Sequence, residues 1–113
     1  MEKNKIRPIT PDEIYQEIPD YVIEGANKCI KDHYLALKKS SHFTQDELIE
    51  YISEAYYKAN PGTEVVKSQL RAMLFDKHYL DIEPIYRECG WKVNYDKPAY
   101  FEDYPANFTF SKA

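Results

Sequence analysis

The sequence predicts an α+β fold: a mainly helical single domain closed by a C-terminal antiparallel β-hairpin, in a winged-helix-like arrangement. Two observations carry that expectation. Between Thr10 and Cys89, apolar residues recur at helical spacing, in segments that open on capping residues or proline. After Gly90 the pattern changes to alternation, with Trp91, Val93 and Tyr95 on one side of a strand and Phe108 and Phe110 on one side of another. The 113 residues suffice for one modest core. Residues 10–113 are therefore read as one domain behind an extended N-terminal arm, residues 1–9.

Thr10, Pro11 and Glu13 open the first helix, with Thr10 as cap, Pro11 at the first helical position and Glu13 placed to reach back. Pro19 interrupts it after Ile18 and opens a second helix, where Val22, Ile23, Ala26, Ile30, His33 or Tyr34, and Leu37 keep the 3.6-residue period. Gly25 costs that helix about 1 kcal/mol relative to alanine, which points to close helix packing. Residues 40–43 are expected as a brief strand. Thr44 and Glu47 form a capping box, with Phe43 and Leu48 as a hydrophobic staple, and open a helix to about Tyr57. Its inward residues are Leu48, Ile49, Ile52, Ala55 and Tyr56.

Asn60-Pro61-Gly62 marks a turn. Thr63 is expected to cap a helix to about Lys77, with Val66, Leu70, Met73 and Leu74 buried. Asp81 is expected to cap a short helix over 82–89, in which Pro84 fits the first turn, Ile85 faces Leu80, and Gly90 is the stop. Strands over 91–95 and 106–111 then lay their aromatic side on the helices, adding Trp91, Val93, Phe108 and Phe110 to the core.

Aromatic residues make up 15% of the chain, with eleven tyrosines against three glycines. Tyrosine joins an apolar body to a polar tip and serves core boundaries and contact surfaces alike. The net charge of -4 gives no global attraction to phosphate backbones. Locally, Asp46, Glu47, Glu50 and Glu54 form an acidic strip, and Lys58, Lys67, Arg71 and Lys77 a small basic stretch. No apolar run approaches the ~18 residues that cross a bilayer. The start, Met-Glu-Lys-Asn-Lys, lacks the apolar stretch of a secretory signal. A cytoplasmic protein without membrane association is expected. Cys29 and Cys89 fit reduced thiols, with a disulfide between them as the alternative.

No cofactor and no metal site are expected. Cys29 and His33 lie one helical turn apart, but a metal needs three or four ligands, and no second Cys/His pair has comparable spacing. Cys89 sits at a helix C-terminus, where the dipole opposes a thiolate. Glu102-Asp103 and Asp46-Glu47 lie in polar settings that give no reason for raised pKa values. Phosphate-loop, HExxH and GxSxG patterns do not occur. The chain is not expected to be an enzyme.

Two surfaces are candidates for binding. Tyr100, Phe101, Glu102, Asp103 and Tyr104 lie in a long inter-strand loop, and long loops with aromatic anchors suit protein contacts. The alternative is that Tyr100, Phe101 and Tyr104 fold back as a lid on the hairpin's own core. Lys67, Arg71, Lys77 and Arg87 form a candidate nucleic-acid patch on a helix-turn-helix with a wing. Glu83 and Glu88 on the would-be recognition helix, and the acidic wing, oppose that reading.

The run Pro8-Ile9-Thr10-Pro11-Asp12-Glu13 and the pattern Gly90-Trp91-Lys92-Val93-x-Tyr95-Asp96-Lys97-Pro98-x-Tyr100-x-Glu102-x-Tyr104-x-Ala106-x-Phe108-Thr109-Phe110 resemble a family of small proteins encoded by tailed bacteriophages. The resemblance takes in Ile18-Pro19-Asp20 and the helix before Gly90, while residues 42–78 share only the rhythm of helices. It implies a phage origin and a bacterial host cytoplasm, and carries no activity or catalytic residue across. The expectation is a non-enzymatic phage accessory protein that binds a host or phage protein, as an inhibitor or modulator of a host system. The alternative is a winged-helix-like protein that binds DNA or modulates transcription.

Overall fold

Pro19, in an extended conformation, opens helix α1 (Asp20–Asp32). The computed structural model describes Pro8 and residues 18–113; the expected arm over 1–9 and helix over 10–18 otherwise lie outside the described residues. Val22, Gly25, Ala26, Cys29 and Ile30 form the buried face of α1, at the spacing that puts them on one side.

The expected run of this helix to Leu37 is corrected. The helix ends at Asp32, and the chain enters a two-residue strand, β1 (Tyr34–Leu35). The buried Ser41 hydroxyl donates to the Ile30 carbonyl at 2.8 Å, satisfying one of the acceptors a helix end leaves open. The backbone N–H groups of Lys38 and Lys39 both donate to the Leu35 carbonyl, at 3.1 and 2.7 Å. Lys39 takes a left-handed conformation (φ 53°), and Leu37 stands fully exposed at the turn.

Strand β2 (Ser40–Thr44) leads directly into helix α2 (Gln45–Ala59). The capping box forms as expected: the Glu47 N–H donates to Thr44 Oγ1 at 3.1 Å, and the Thr44 N–H donates to Glu47 Oε1 at 2.8 Å. Leu48, Ile49, Ile52 and Ser53 are buried on α2. α1 and α2 pack along each other, and Gly25 marks their closest approach.

Helix α3 (Lys67–Asp76) begins later than Thr63. The Tyr57 hydroxyl donates to the Val65 carbonyl at 2.7 Å, and Thr63 Oγ1 accepts from the Val65 N–H at 3.3 Å. These bonds hold the segment before α3 out of the helix, and Gln69 Oε1 takes the Val66 N–H at 3.1 Å instead. Val66, expected inside, is exposed, whereas Leu70 and Leu74 are buried.

Helix α4 (Glu83–Glu88) has the buried Ile82 at its N-cap position and no side-chain cap, and Asp81, expected as the cap, is exposed. The face is also corrected: Tyr86 is buried and Ile85 only half-buried, because the Tyr86 ring stands edge-on to Phe110 with centroids 5.4 Å apart. Gly90 ends the segment in the left-handed region at φ 99°, where a side chain would be strained.

Strands β3 (Trp91–Asp96) and β4 (Asn107–Lys112) complete a four-stranded antiparallel sheet in the order β1-β2-β4-β3. The brief strand expected at 40–43 therefore belongs to the hairpin's sheet, with Phe43 opposite Phe108 and Ser41 opposite Phe110. The fold is a single α+β domain, with four helices and one four-stranded sheet among the described residues. One face of the sheet covers α1, α2 and α4 through Phe43, Val93, Phe108 and Phe110, which share a core with Val22, Leu48, Ile52, Ile82 and Tyr86. Every buried side-chain polar atom among the described residues has a partner. The other face is polar, with His42 Nδ1 and Thr109 Oγ1 2.9 Å apart across the strands.

Candidate functional site

The chain between β3 and β4 is built in two parts, a tied base and a presented tip. At the base, the Tyr104 hydroxyl donates to Asp96 Oδ1 at 3.0 Å. That bond to a carboxylate holds the phenol above its ordinary pKa. The Gln45 N–H donates to the Ala106 carbonyl at 2.8 Å, which fastens the end of the loop to the start of α2. At the tip, the Glu102 N–H donates to the Ala99 carbonyl at 2.8 Å, and the Ala99 N–H donates back to Glu102 Oε1 at 3.0 Å. This reciprocal pair closes a tight turn around Tyr100 and Phe101.

Both aromatic side chains point outwards. Tyr100 is fully exposed and Phe101 is 77% exposed, with the rings edge to face at 5.7 Å. The lid alternative is thereby overturned for these two residues, since neither covers the hairpin's core. The five loop residues have separate roles. Tyr104 is half-buried and braces the base, Glu102 folds the tip, and Tyr100, Phe101 and the exposed Asp103 face solvent.

The four basic residues do not present a comparable surface. Lys67 pairs with Glu50 at 3.1 Å and Arg71 with Asp46 at 2.9 Å, so the acidic strip of α2 answers the bases of α3. Arg71 also lies over the Phe75 ring, 5.4 Å from its centroid. Arg87 Nη2 donates to the Val93 carbonyl at 2.8 Å. Lys77 follows α3 and is exposed.

Cys29, His33 and Glu47 come together where α1 meets α2. His33 Nδ1 lies 2.9 Å from the Cys29 carbonyl and 3.8 Å from the Cys29 sulfur, and Nε2 lies 3.4 Å from Glu47. This is not the geometry of an activated thiol. Burial, then the charges of Glu47 and Asp32, pushes the Cys29 thiol up to about 12, and the side chain is out of solvent. No group of three or more His, Cys, Asp or Glu residues suited to a metal ion occurs among the described residues. A groove of about 590 Å³ runs along the α1–α2 contact, lined by Glu24 and Glu54 as well as by Lys28 and Lys58, so it favours neither sign of charge. No described helix is long and apolar enough to cross a membrane.

No family model matches the chain, no curated protein matches it, and no solved structure matches its fold. Its own geometry is therefore the ground for a functional reading. The exposed turn carrying Leu35, Leu37, Lys38 and Lys39 stands where the apolar period predicts a helix, and it contains no Gly, Pro, Asn or Asp to announce it.

Proposed function

We propose that the protein is a non-enzymatic accessory protein that works by contact with another protein, with the Tyr100–Phe101 tip as its anchor. The observation that carries this reading is the exposure of two large aromatic side chains on a turn closed by reciprocal Ala99–Glu102 hydrogen bonds. A tip ordered before binding loses less conformational entropy on association, and buried aromatics commonly dominate interface energies. The sequence pattern resembling small proteins of tailed bacteriophages supports a host or phage protein as partner, in the cytoplasm of a bacterial cell, with inhibition or modulation of a host system as the outcome.

The test is capture of partners from a bacterial lysate by the tagged protein and by its Tyr100→Ala/Phe101→Ala variant, each with and without nuclease. One protein held in near-stoichiometric amount after nuclease, and lost with the variant, supports the reading. Retention of the same partner by the variant sinks it.

A winged-helix-like DNA-binding role is the second reading, supported by the order of α2, α3, α4 and a hairpin whose last strand returns to pair with β2. Against it stand the ion pairs that neutralise Lys67 and Arg71, and Glu83 and Glu88 on the six-residue α4. Capture that vanishes with nuclease, and duplex affinity that falls steeply with salt, would restore it.

A further inference from the structure

The strand register places two exposed apolar turns at opposite ends of one sheet. Asp96, Thr44 and the loop of Tyr100 and Phe101 lie at the Asn107 end of β4. Leu35, Lys92 and the turn of Leu37 lie at the Ser111–Lys112 end. Each turn is held by its own backbone hydrogen bonds, Lys38 and Lys39 to Leu35 in one and Glu102 to Ala99 in the other. Each carries a fully exposed large side chain, Leu37 and Tyr100.

The two ends carry opposite charge. Around Leu37 stand Lys38 and Lys39, with Lys92 and Lys112 on the adjacent strand ends, all exposed. None of these four pairs with a carboxylate among the described residues. Around Tyr100 and Phe101 stand Asp96, Glu102 and Asp103, all exposed. Lys97 and Glu88 are the local exceptions of sign.

We infer that the protein binds a second copy of itself head to tail, the acidic Tyr100–Phe101 tip of one molecule meeting the basic Leu35–Leu37 turn of the next. This rests on the reading of the loop as a protein-contact surface and names one partner for it. The contact joins two different patches, so each molecule keeps one free end of each kind and the chain of contacts grows unless it closes into a ring. Small tips flanked by exposed charges make a weak contact that added salt screens.

The test is sedimentation of the purified chain over a concentration series at low and high salt, with two variants: Leu37→Asp, which spoils only the basic turn, and Tyr100→Ser/Phe101→Ser, which spoils only the acidic tip. The substituted side chains are exposed, so both variants should keep the wild-type circular dichroism. The wild type should grow beyond a dimer with concentration at low salt and return towards monomer at high salt. Each variant alone should stay monomeric, while their mixture should form a dimer and nothing larger, since one intact tip then meets one intact turn. A wild type that stays monomeric throughout, a variant that associates like the wild type, or a mixture that stays monomeric overturns the inference. Lysate capture lost with the tip variant from a wild type that stays monomeric would leave the loop reading standing and remove only self-assembly.

Discussion

A methyl group added at Gly25 would lie 2.5 Å from the Ile52 Cα and 2.7 Å from the Ile52 N. The obstacle is backbone of α2, which cannot swing aside as a side chain could. Gly25→Ala gains about 1 kcal/mol of helix propensity, but overpacking of this kind costs roughly 1–3 kcal/mol or more. The variant should be less stable than wild type in urea unfolding, and equal or higher stability would refute the close crossing.

Thr44→Ala removes the cap of α2 and should cost about 1 kcal/mol. The Thr44 N–H bond, chiefly, holds the Glu47 carboxyl below the ordinary glutamate range. A carboxyl lowered in the folded state contributes stability above its unfolded pKa, and that contribution fades as pH falls through the folded value. Replacing Glu47 by Gln should therefore destabilise the protein at neutral pH and matter progressively less in acid. Thermal unfolding across a pH series reads this directly; a difference that grows as the pH drops would contradict it.

Cys29 and Cys89 are both free, one buried and one exposed. An alkylating reagent at neutral pH should modify Cys89 in the native protein and both thiols only after unfolding. Mass spectrometry that finds Cys29 labelled at the same rate as Cys89 would show that the α1–α2 contact opens readily.

Tyr86 and Tyr100 should part company under mutation. The Tyr86 hydroxyl donates to Asn27 Oδ1 at 2.6 Å from a buried ring, so Tyr86→Phe should lose about 1 kcal/mol. Tyr100→Ala removes a fully exposed ring and should change stability by no more than about 0.5 kcal/mol. Calorimetry on the two variants checks both values, and a large loss at Tyr100 would mean that the ring packs onto the protein.

The helices with strong local signals were legible in the sequence. Thr44 with Glu47, Pro19 and Gly90 act through bonds to near neighbours, and their elements begin or end close to where the pattern places them. Decisions made over distance were not. Ser41 reaches the Ile30 carbonyl eleven residues back, and nothing local to Tyr34 or Leu37 says that the helix has ended. Tyr57 holds Val65 and delays α3 in the same way. At α4 the apolar pattern points to Ile85, but the Phe110 ring, supplied by a distant strand, draws Tyr86 into the core instead. The loop expected over 96–105 stands out by its length and aromatics, but nothing in the sequence separates an outward tip from a lid; the exposure of Tyr100 and Phe101 on the turn closed by Ala99 and Glu102 does.

The Arg87–Val93 bond bears on how the sheet ends. β3 is an edge strand, and edges with open N–H and C=O groups invite foreign strands to add. The Ala113 N–H bonds the Gly90 carbonyl, and in the antiparallel alternation this turns the backbone groups of Trp91, Val93 and Tyr95 away from β4. The guanidinium of Arg87 occupies the middle acceptor of that row. A strand arriving at this margin meets a positive charge where it needs a carbonyl, which disfavours lengthening of the sheet beyond β3 towards cross-β aggregates.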